Sequence, residues 1–489
     1  MELEEDMRLR KIGLRPIETK RQENKAIHNS NYDKEINEEE PLSPSARLFH
    51  EPNFNVHIIA IIGCGGQKRR RDEMGKDRGG FRQDVIVPKV EQVEVGSPDQ
   101  FVEDYIFNLS KTSVDESRPL WDLHLLNVKT SQSEAVGVFR IHHSLGDGAS
   151  LMALLLACTR RCSDPEALPT VPTMKKRHRK TSGSGFWRCL IRVWWAFQLL
   201  WNTIVDVFMF MATTLFLKDS NTPLKGPHGI EHTPRRFVFR TISLDDMKLI
   251  KNAMDMTVND VALGITQAGL SQYLNRRYGE NKNIDDKGGF TRQKKSINLP
   301  KKILLRSLLL INIRPSAGIQ ALADMMEEKA EVKWGNWIGY VLLPFSIGRD
   351  DPLDYIRQAK STIDRKMHSF EAFYTFFSAE IVLKLFGIKA ASSLSHRIIT
   401  HTAMCFSNLV GPLEEIGFYG HPLAYLAPSS YGQPHALMIN FQSYRNKMTI
   451  VLSVDEDVIP DAHQLCDDIV HSLHLIKNAL IHKGLVAIN

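Results

Sequence analysis

The segment IHHSLGDGAS, residues 141–150, sets two adjacent histidines, His142 and His143, just ahead of Asp147 and Gly148. A neutral imidazole, whose ordinary pKa is about 6.5, can take the proton of an alcohol as its oxygen attacks a thioester, a service worth about 10² to 10⁴ in rate. The apolar run leading into the pair reads as a strand. Successive side chains of a strand alternate faces, so His142 and His143 cannot both enter one cleft. One of the two is expected to act as base and the other to support it. Asp147 is better suited to holding the loop through a charge-assisted hydrogen bond than to proton transfer. Gly148 is expected to permit a turn that a side chain would block. The competing reading makes both histidines hydrogen-bonded fixtures of a strand end, with no chemistry.

Positioning such a base takes a strand, a tight turn and a helix, and the flanking sequence supplies them. EAVGVFRIHHSL (134–145) has strand character, and GASLMALLLACTRR (148–161) reads as a helix opened by glycine. VHIIAIIG (56–63) and PLWDLHLLNV (119–128) read as further strands, with Pro119, Leu120 and Trp121 as packing residues at a strand start. Residues 65–84 have no apolar period and carry a run of like charges, the pattern of an exposed loop. Residues 163–185, with the basic cluster Lys175 to Lys180, read as a linker, and an apolar helix follows over 186–217.

After a polar stretch the second half restarts with a strand in RRFVFRTISL and a helix capped by Ser243. TVNDVALGITQAGLSQYLNRRYG (257–279) has helical spacing, and the polar loop 280–299 separates it from the strand-like KILLRSLLLINIRP. Asn259 and Asp260 either cap that helix or line the cleft and stabilise charge on a thioester oxygen. Arg314, read as part of an apolar strand, needs a carboxylate partner, and Asp147 is the one expected. A helix over 352–367, a strand ending in FSNLVGP, two paired strands and a final helix over 461–483 complete the chain. Asn408 then stands at a strand end near the cleft, with Gly411 in a turn. The order of elements is mixed α/β, with large mixed sheets.

Composition bounds the function. With 489 residues the chain is too long for one ordinary core, so two subdomains with a site between them are expected. Its 43% hydrophobic and 24% charged residues are ordinary for a folded soluble protein and exclude a multi-span membrane protein. A net charge of +6 favours anionic partners, and no basic stripe interleaved with aromatics points to nucleic acid. The six cysteines show neither paired spacing nor nearby histidine ligands, so neither a metal site nor a disulfide framework is expected. Residues 1–40 read as a charged, disordered tail without a secretory signal.

Several motifs occur together and in order: RPLWDLHLL (118–126), HHSLGDG, Asn259 with Asp260, LLINIRP (309–315), GNWIGYVLLP (335–344) and SNLVGP (407–412). On these, from about residue 41 to residue 461, the sequence resembles the plant bifunctional wax ester synthase/diacylglycerol acyltransferases of the CoA-dependent acyltransferase superfamily. The resemblance implies two chloramphenicol-acetyltransferase-like subdomains, 41–185 and 235–489, with the active-site tunnel between them. It implies direct transfer from acyl-CoA to a long-chain fatty alcohol or to diacylglycerol, with no covalent enzyme intermediate, metal or cofactor. It assigns His143 as the general base with His142 in support and Asp147 as organiser. By the same resemblance Gly148, Asn259, Asp260, Arg314 and Asn408 line the substrate and CoA tunnel. The sequence departs from the family at 65–84, where an amphipathic helix and a further strand are usual. That departure motivates a second reading, a catalytically silent membrane-associated binder of lipid or CoA. A third, a soluble BAHD-type acyltransferase, lacks its DFGWG element here and leaves the apolar helix unexplained.

The helix expected over 186–217 is long enough to cross a bilayer, which takes about 20 residues. At 100° per residue, however, Arg188, Arg192, Gln198, Asn202, Asp206 and Thr213 fall on one stripe, and Phe197, Trp201, Ile204, Phe208, Met211 and Leu215 on the opposite face. His143 precedes this helix and Asn259, Arg314 and Asn408 follow it. A true span would therefore split one active site across the membrane. The expectation is a helix lying on the cytosolic face of the endoplasmic reticulum membrane, with the cell membrane as the alternative location and burial within the protein as the competing structural reading.

Overall fold

The computed structural model describes residues 43–65, 84–88, 97–172, 185–285, 298–314 and 334–486. The tail expected over 1–40, nearly all of 65–84 and the cluster Lys175 to Lys180 lie outside these residues. The chain runs through α1 (Pro44–Leu48), β1 (His57–Cys64), β2 (Val85–Ile86), α2 (Pro98–Leu109), β3 (Trp121–Leu126), β4 (Ala135–His142), α3 (Gly148–Cys158), β5 (Arg160–Arg161) and α4 (Gly185–Leu215). It continues through β6 (Arg236–Ser243), α5 (Leu244–Ala253), α6 (Val258–Asp285), β7 (Arg306–Asn312), β8 (Ile338–Pro344), α7 (Pro352–Met367) and α8 (Glu371–Thr400). The last elements are β9 (Met404–Leu409), β10 (Ile416–Phe418), β11 (His421–Tyr431), β12 (Leu437–Tyr444), β13 (Lys447–Val454) and α9 (Ala462–His482).

Among the described residues the strands form two mixed sheets, one ordered β2-β3-β4-β1-β11-β10-β5 and the other β6-β13-β12-β9-β7-β8. The mixed α/β expectation holds. The division into 41–185 and 235–489 follows the sequence more closely than the sheets. β1 is a central strand with fully buried Ile59 and Ile61, and its free edge is filled from far along the chain by β11, antiparallel. Leaving that edge open would strand its backbone donors and acceptors. At the end of β11, Ser429 Oγ donates to Asn440 Oδ1 of β12 at 2.7 Å, tying the two sheets together. The second sheet is covered by α6 and α9, which meet where a Cβ on Gly269 would fall 2.7 Å from Ile469 Cα.

α4 is folded with its polar stripe inward. Asp206 is fully buried, and Asn202 and Thr213 are buried with it, whereas Phe197 is 58%, Trp201 58% and Phe208 68% exposed. The Asp206 carboxylate is met by Arg365 at 2.8 Å and Lys366 at 2.9 Å, at the end of α7, and Lys366 also meets Glu371 at 2.6 Å. Burial holds the Glu371 carboxyl up at about 7, against the pull of Lys366. Asn202 Nδ2 donates to the His368 carbonyl at 3.1 Å. Arg192, nearer the start of the helix, is exposed. The helix is thus amphipathic in the inverted sense, bound to the protein by charge, hydrogen bonds and the buried Phe210 near its end, with most of its apolar side chains outward.

Two expectations need correction. Arg314 lies two residues beyond the end of β7, and the arginine within that strand is Arg306, paired with Asp219 at 2.6 Å. Between α7 and β9 the chain forms the 30-residue α8, which the sequence reading passed over. Its apolar repeat is broken by Gly387, whose φ of 79° and ψ of 177° are not helical.

Candidate active site

β4 delivers the histidine pair and ends between its members. His142 is the last strand residue, opposite His57 of β1, and His143 opens a short 3-10 turn, His143–Leu145. The two rings are separated by this turn rather than by strand alternation alone. His142 packs 4.7 Å from the ring of His50 and 5.1 Å from that of His57. Its Nδ1 accepts from the Ser144 backbone N at 3.4 Å and lies 2.6 Å from Ser144 Oγ. Burial, and then the neighbouring His57 and His50, push its pKa down to about 3. His57 is committed at both nitrogens: Nδ1 donates to the Asn55 carbonyl at 3.2 Å and Nε2 accepts from the Val114 N–H at 3.1 Å. Burial, then Arg140, lowers its pKa to about 4.

His143 differs. Its ring stacks on Phe49, the residue that ends α1, with centroids 4.2 Å apart, and its buried Nδ1 makes no hydrogen bond of ordinary geometry among the described residues. Burial lowers its pKa below the usual histidine value, partly offset by Asp147 and Asn336. The ring is thereby kept neutral around pH 7.

Asp147 is the hub of the loop. It caps α3 by accepting from Ser150 N at 2.9 Å, and it accepts from Trp337 N at 3.1 Å. Arg314 Nη1 reaches both its oxygens, at 3.0 and 2.7 Å, and the pair is buried. Arg314 also donates to Ser150 Oγ at 2.7 Å and to the Gly335 carbonyl. Gly148 is the first residue of α3, and a Cβ there would meet Leu409 Cδ2 at an ordinary 3.5 Å. The expectation that a side chain would block the turn is therefore not met. At Gly411, by contrast, a Cβ would fall 2.1 Å from the Ser443 carbonyl oxygen, so that position does demand glycine.

The open alternatives at Asn259 and Asp260 separate. Asp260 Oδ2 accepts from Thr257 N at 2.7 Å while Thr257 Oγ1 accepts from Asp260 N at 3.2 Å, a reciprocal cap on α6. Asn259 instead meets Asn408, whose Nδ2 donates to Asn259 Oδ1 at 2.5 Å. Asn408 is followed by Leu409, the residue beside Gly148, so this asparagine pair stands near the start of α3.

The polar residues around the start of GNWIGYVLLP join the site, a role their residue types alone do not announce. Trp334 Nε1 donates to the Leu145 carbonyl at 2.6 Å, and the fully buried Asn336 Nδ2 donates to the His143 carbonyl at 2.9 Å. With the bonds of Gly335 and Trp337 to Asp147, residues 334–337 clamp the whole turn from the second sheet. A polar and glycine-containing run directly before an apolar strand was the available signal. Among the described residues no three His, Cys, Asp or Glu side chains gather where a metal could be held. A cavity of about 200 Å³ lined by Lys218, Lys225, His401 and His435 shares no residue with this turn.

Residues 93–262 match the wax ester synthase/diacylglycerol acyltransferase catalytic domain, and residues 334–477 the WS/DGAT C-terminal domain. The chain is 47% identical to wax ester synthase/diacylglycerol acyltransferase 11 of Arabidopsis thaliana over 490 aligned positions, covering 93% of this chain and 98% of that protein. It is 48% identical to number 5 of the same series from that plant, covering 91% and 94%. In three dimensions it is similar to the wax ester synthase/diacylglycerol acyltransferase from Marinobacter aquaeolei VT8, with a TM-score of 0.54 at 16% identity, over 90% of this chain and 100% of that one.

Proposed function

The chain belongs to the wax ester synthase/diacylglycerol acyltransferase family of acyltransferases, and from that membership we propose that it transfers a fatty acyl group from acyl-CoA to a long-chain fatty alcohol and to 1,2-diacylglycerol. The products are a wax ester and a triacylglycerol. His143 acts as general base through Nε2, the ring nitrogen left to meet substrate when Nδ1 is buried. It takes the hydroxyl proton as the alcohol oxygen attacks the thioester carbonyl. The tetrahedral oxyanion then collapses, the C–S bond breaks, and the CoA thiolate recovers the proton from His143. No enzyme-bound acyl group forms, and the scheme calls on no metal or prosthetic group. Asn259 and Asn408 are the candidates for donating to the oxyanion. Asp147, Arg314 and Asn336 act as positioning residues. The observation that carries this reading is the contrast between His142, committed to Ser144, and His143, neutral with its turn clamped from both sheets.

The reading extends to location. The outward apolar face of α4 suits a helix lying in the cytosolic leaflet surface of the endoplasmic reticulum membrane, where both lipid acceptors dissolve. Cys189–Leu215 is long and apolar enough to cross a bilayer. Against a crossing stands the joining of Asp147, before the helix, to Arg314, after it. Purified protein given palmitoyl-CoA with hexadecanol, or with diacylglycerol, should release free CoA and form the matching ester. Release of CoA without ester, or neither product, would sink the assignment.

A further inference from the structure

The geometry points to a second membrane-seated element, a helical hairpin over 371–400 whose apolar tip enters the lipid surface beside α4; this inference rests on the membrane reading above. α8 meets α4 from both of its ends. Tyr374 Oη donates to Met211 Sδ at 3.4 Å, and Arg397 Nη2 donates to the Leu215 carbonyl at 2.5 Å. Met211 and Leu215 are one turn apart, about 6 Å, whereas a straight helix would hold Tyr374 and Arg397 about 35 Å apart. Their side chains cannot make up that difference. The helix therefore doubles back, and Gly387 is where it does so, with its left-handed φ and extended ψ. Phe210 of α4 accordingly packs in one cluster with residues of both arms, Tyr374 and Leu394 among them.

The turn of this hairpin is bare. Leu385 is 71% and Phe386 70% exposed, and a Cβ on Gly387 would meet nothing within 4 Å. Phe373, Phe377 and Ile381 continue the exposed apolar row down the first arm at helical spacing. A row of this kind is costly in water, and single exposed apolar residues do not explain it. Lys384 and Lys389 flank the tip, and both are exposed. Two lysines around an apolar point complement an anionic lipid surface. The first arm contacts α4 at Met211, and the outward face of α4 carries exposed Trp194 and Trp201, the residue type favoured at membrane interfaces. At its base the first arm stacks Phe376 on Trp337, next to Asn336 and the His143 turn. The hairpin thus connects lipid to the edge of the site.

The test compares the full-length protein with a Leu385→Glu/Phe386→Glu variant and, separately, a Trp201→Ser/Phe208→Ser variant of α4. Co-sedimentation uses phosphatidylcholine vesicles and phosphatidylcholine/phosphatidylserine vesicles. Activity on a short-chain alcohol free in solution serves as the folding control. The tip variant should lose at least roughly tenfold in vesicle affinity with that activity intact. Lys384→Ala/Lys389→Ala should weaken binding to the mixed vesicles only. A tip variant that binds like wild type while the α4 variant is released would overturn the hairpin and leave the α4 reading standing. Wild type that ignores both vesicle types overturns the two together. A tip variant that changes the oligomeric state in solution but not vesicle binding assigns the tip to a second protein copy and also overturns the proposal.

Discussion

Arg314 Nη1 lies 2.7 Å from Asp147 Oδ2 although 167 residues separate them, and through that contact the second half of the chain holds the loop that follows His143. Removing one partner of a buried ion pair leaves the other charge uncompensated, at a cost of about 3–5 kcal/mol. Arg314→Met should therefore lower the unfolding free energy by that order. It should also cut kcat by roughly a hundredfold through loss of alignment, with KM for acyl-CoA little changed. Denaturant titration and steady-state kinetics read the two effects separately. Full kcat in a destabilised variant would reduce the pair to a structural brace.

Asn336 holds the His143 carbonyl from the opposite sheet, and its buried Oδ1 meets no partner among the described residues. Asn336→Leu keeps the volume and removes the donor, leaving buried carbonyls unsatisfied at about 1–3 kcal/mol. The expected outcome is a fall in kcat with both KM values held, together with a shifted acid inflection in the pH profile. An unchanged inflection and unchanged kcat would show that the turn is held well enough without it.

Burial lowers the pKa of His143, and the base must be neutral to act. Activity should therefore rise with pH through an inflection below the ordinary histidine value of about 6.5 and be flat above it. Stability carries the same sign. His142 and His435 are held down to about 3 and His57 to about 4, so the unfolded chain binds protons that the folded chain does not as pH falls below about 6.5. Each of these histidines should remove roughly 1.4 kcal/mol per pH unit from there down to its folded pKa. Unfolding titrations between neutral pH and the onset of acid denaturation measure the slope. A flat profile would contradict neutral burial.

Asp206 anchors the middle of α4 by its charge. Asp206→Ala would leave Arg365 without its buried partner and Lys366 with Glu371 alone, and should destabilise by about 3–5 kcal/mol. Trp201→Ser, on the outward face, should leave the melting temperature in detergent nearly unchanged. The reverse ranking in thermal melts would mean that the helix docks by the face assigned to lipid.

Much of this is legible in the sequence. The strand leading to His142, the helix after Gly148, the partnership of Arg314 with Asp147 and the two faces of α4 all follow from local periodicity or from the cost of an unpaired buried charge. What escaped depends on distance in the chain. β11 fills the edge of β1 from more than the whole first half away, and no local pattern announces that pairing. α8 was missed because Gly387 interrupts its repeat at the point where the helix turns back. Gly148 has room for a side chain because only the end of the Leu409 side chain lies near it, a distant neighbour that residue type does not reveal. Asp260 and Asn259 could not be separated by residue type, since both cap helices well. The reciprocal bond with Thr257 assigns the first, and the contact with Asn408 draws the second toward the site.

The most direct test is the rate of His143→Gln in the purified enzyme, measured by CoA release with palmitoyl-CoA and hexadecanol beside a His142→Gln control. Loss of the base should lower kcat by about 10² to 10⁴ with acyl-CoA binding retained, and the acid inflection should vanish with it. His142→Gln should keep most of the rate and the inflection. Equal rates for His143→Gln and wild type, or the larger loss in His142→Gln, would contradict the assignment of His143 as base.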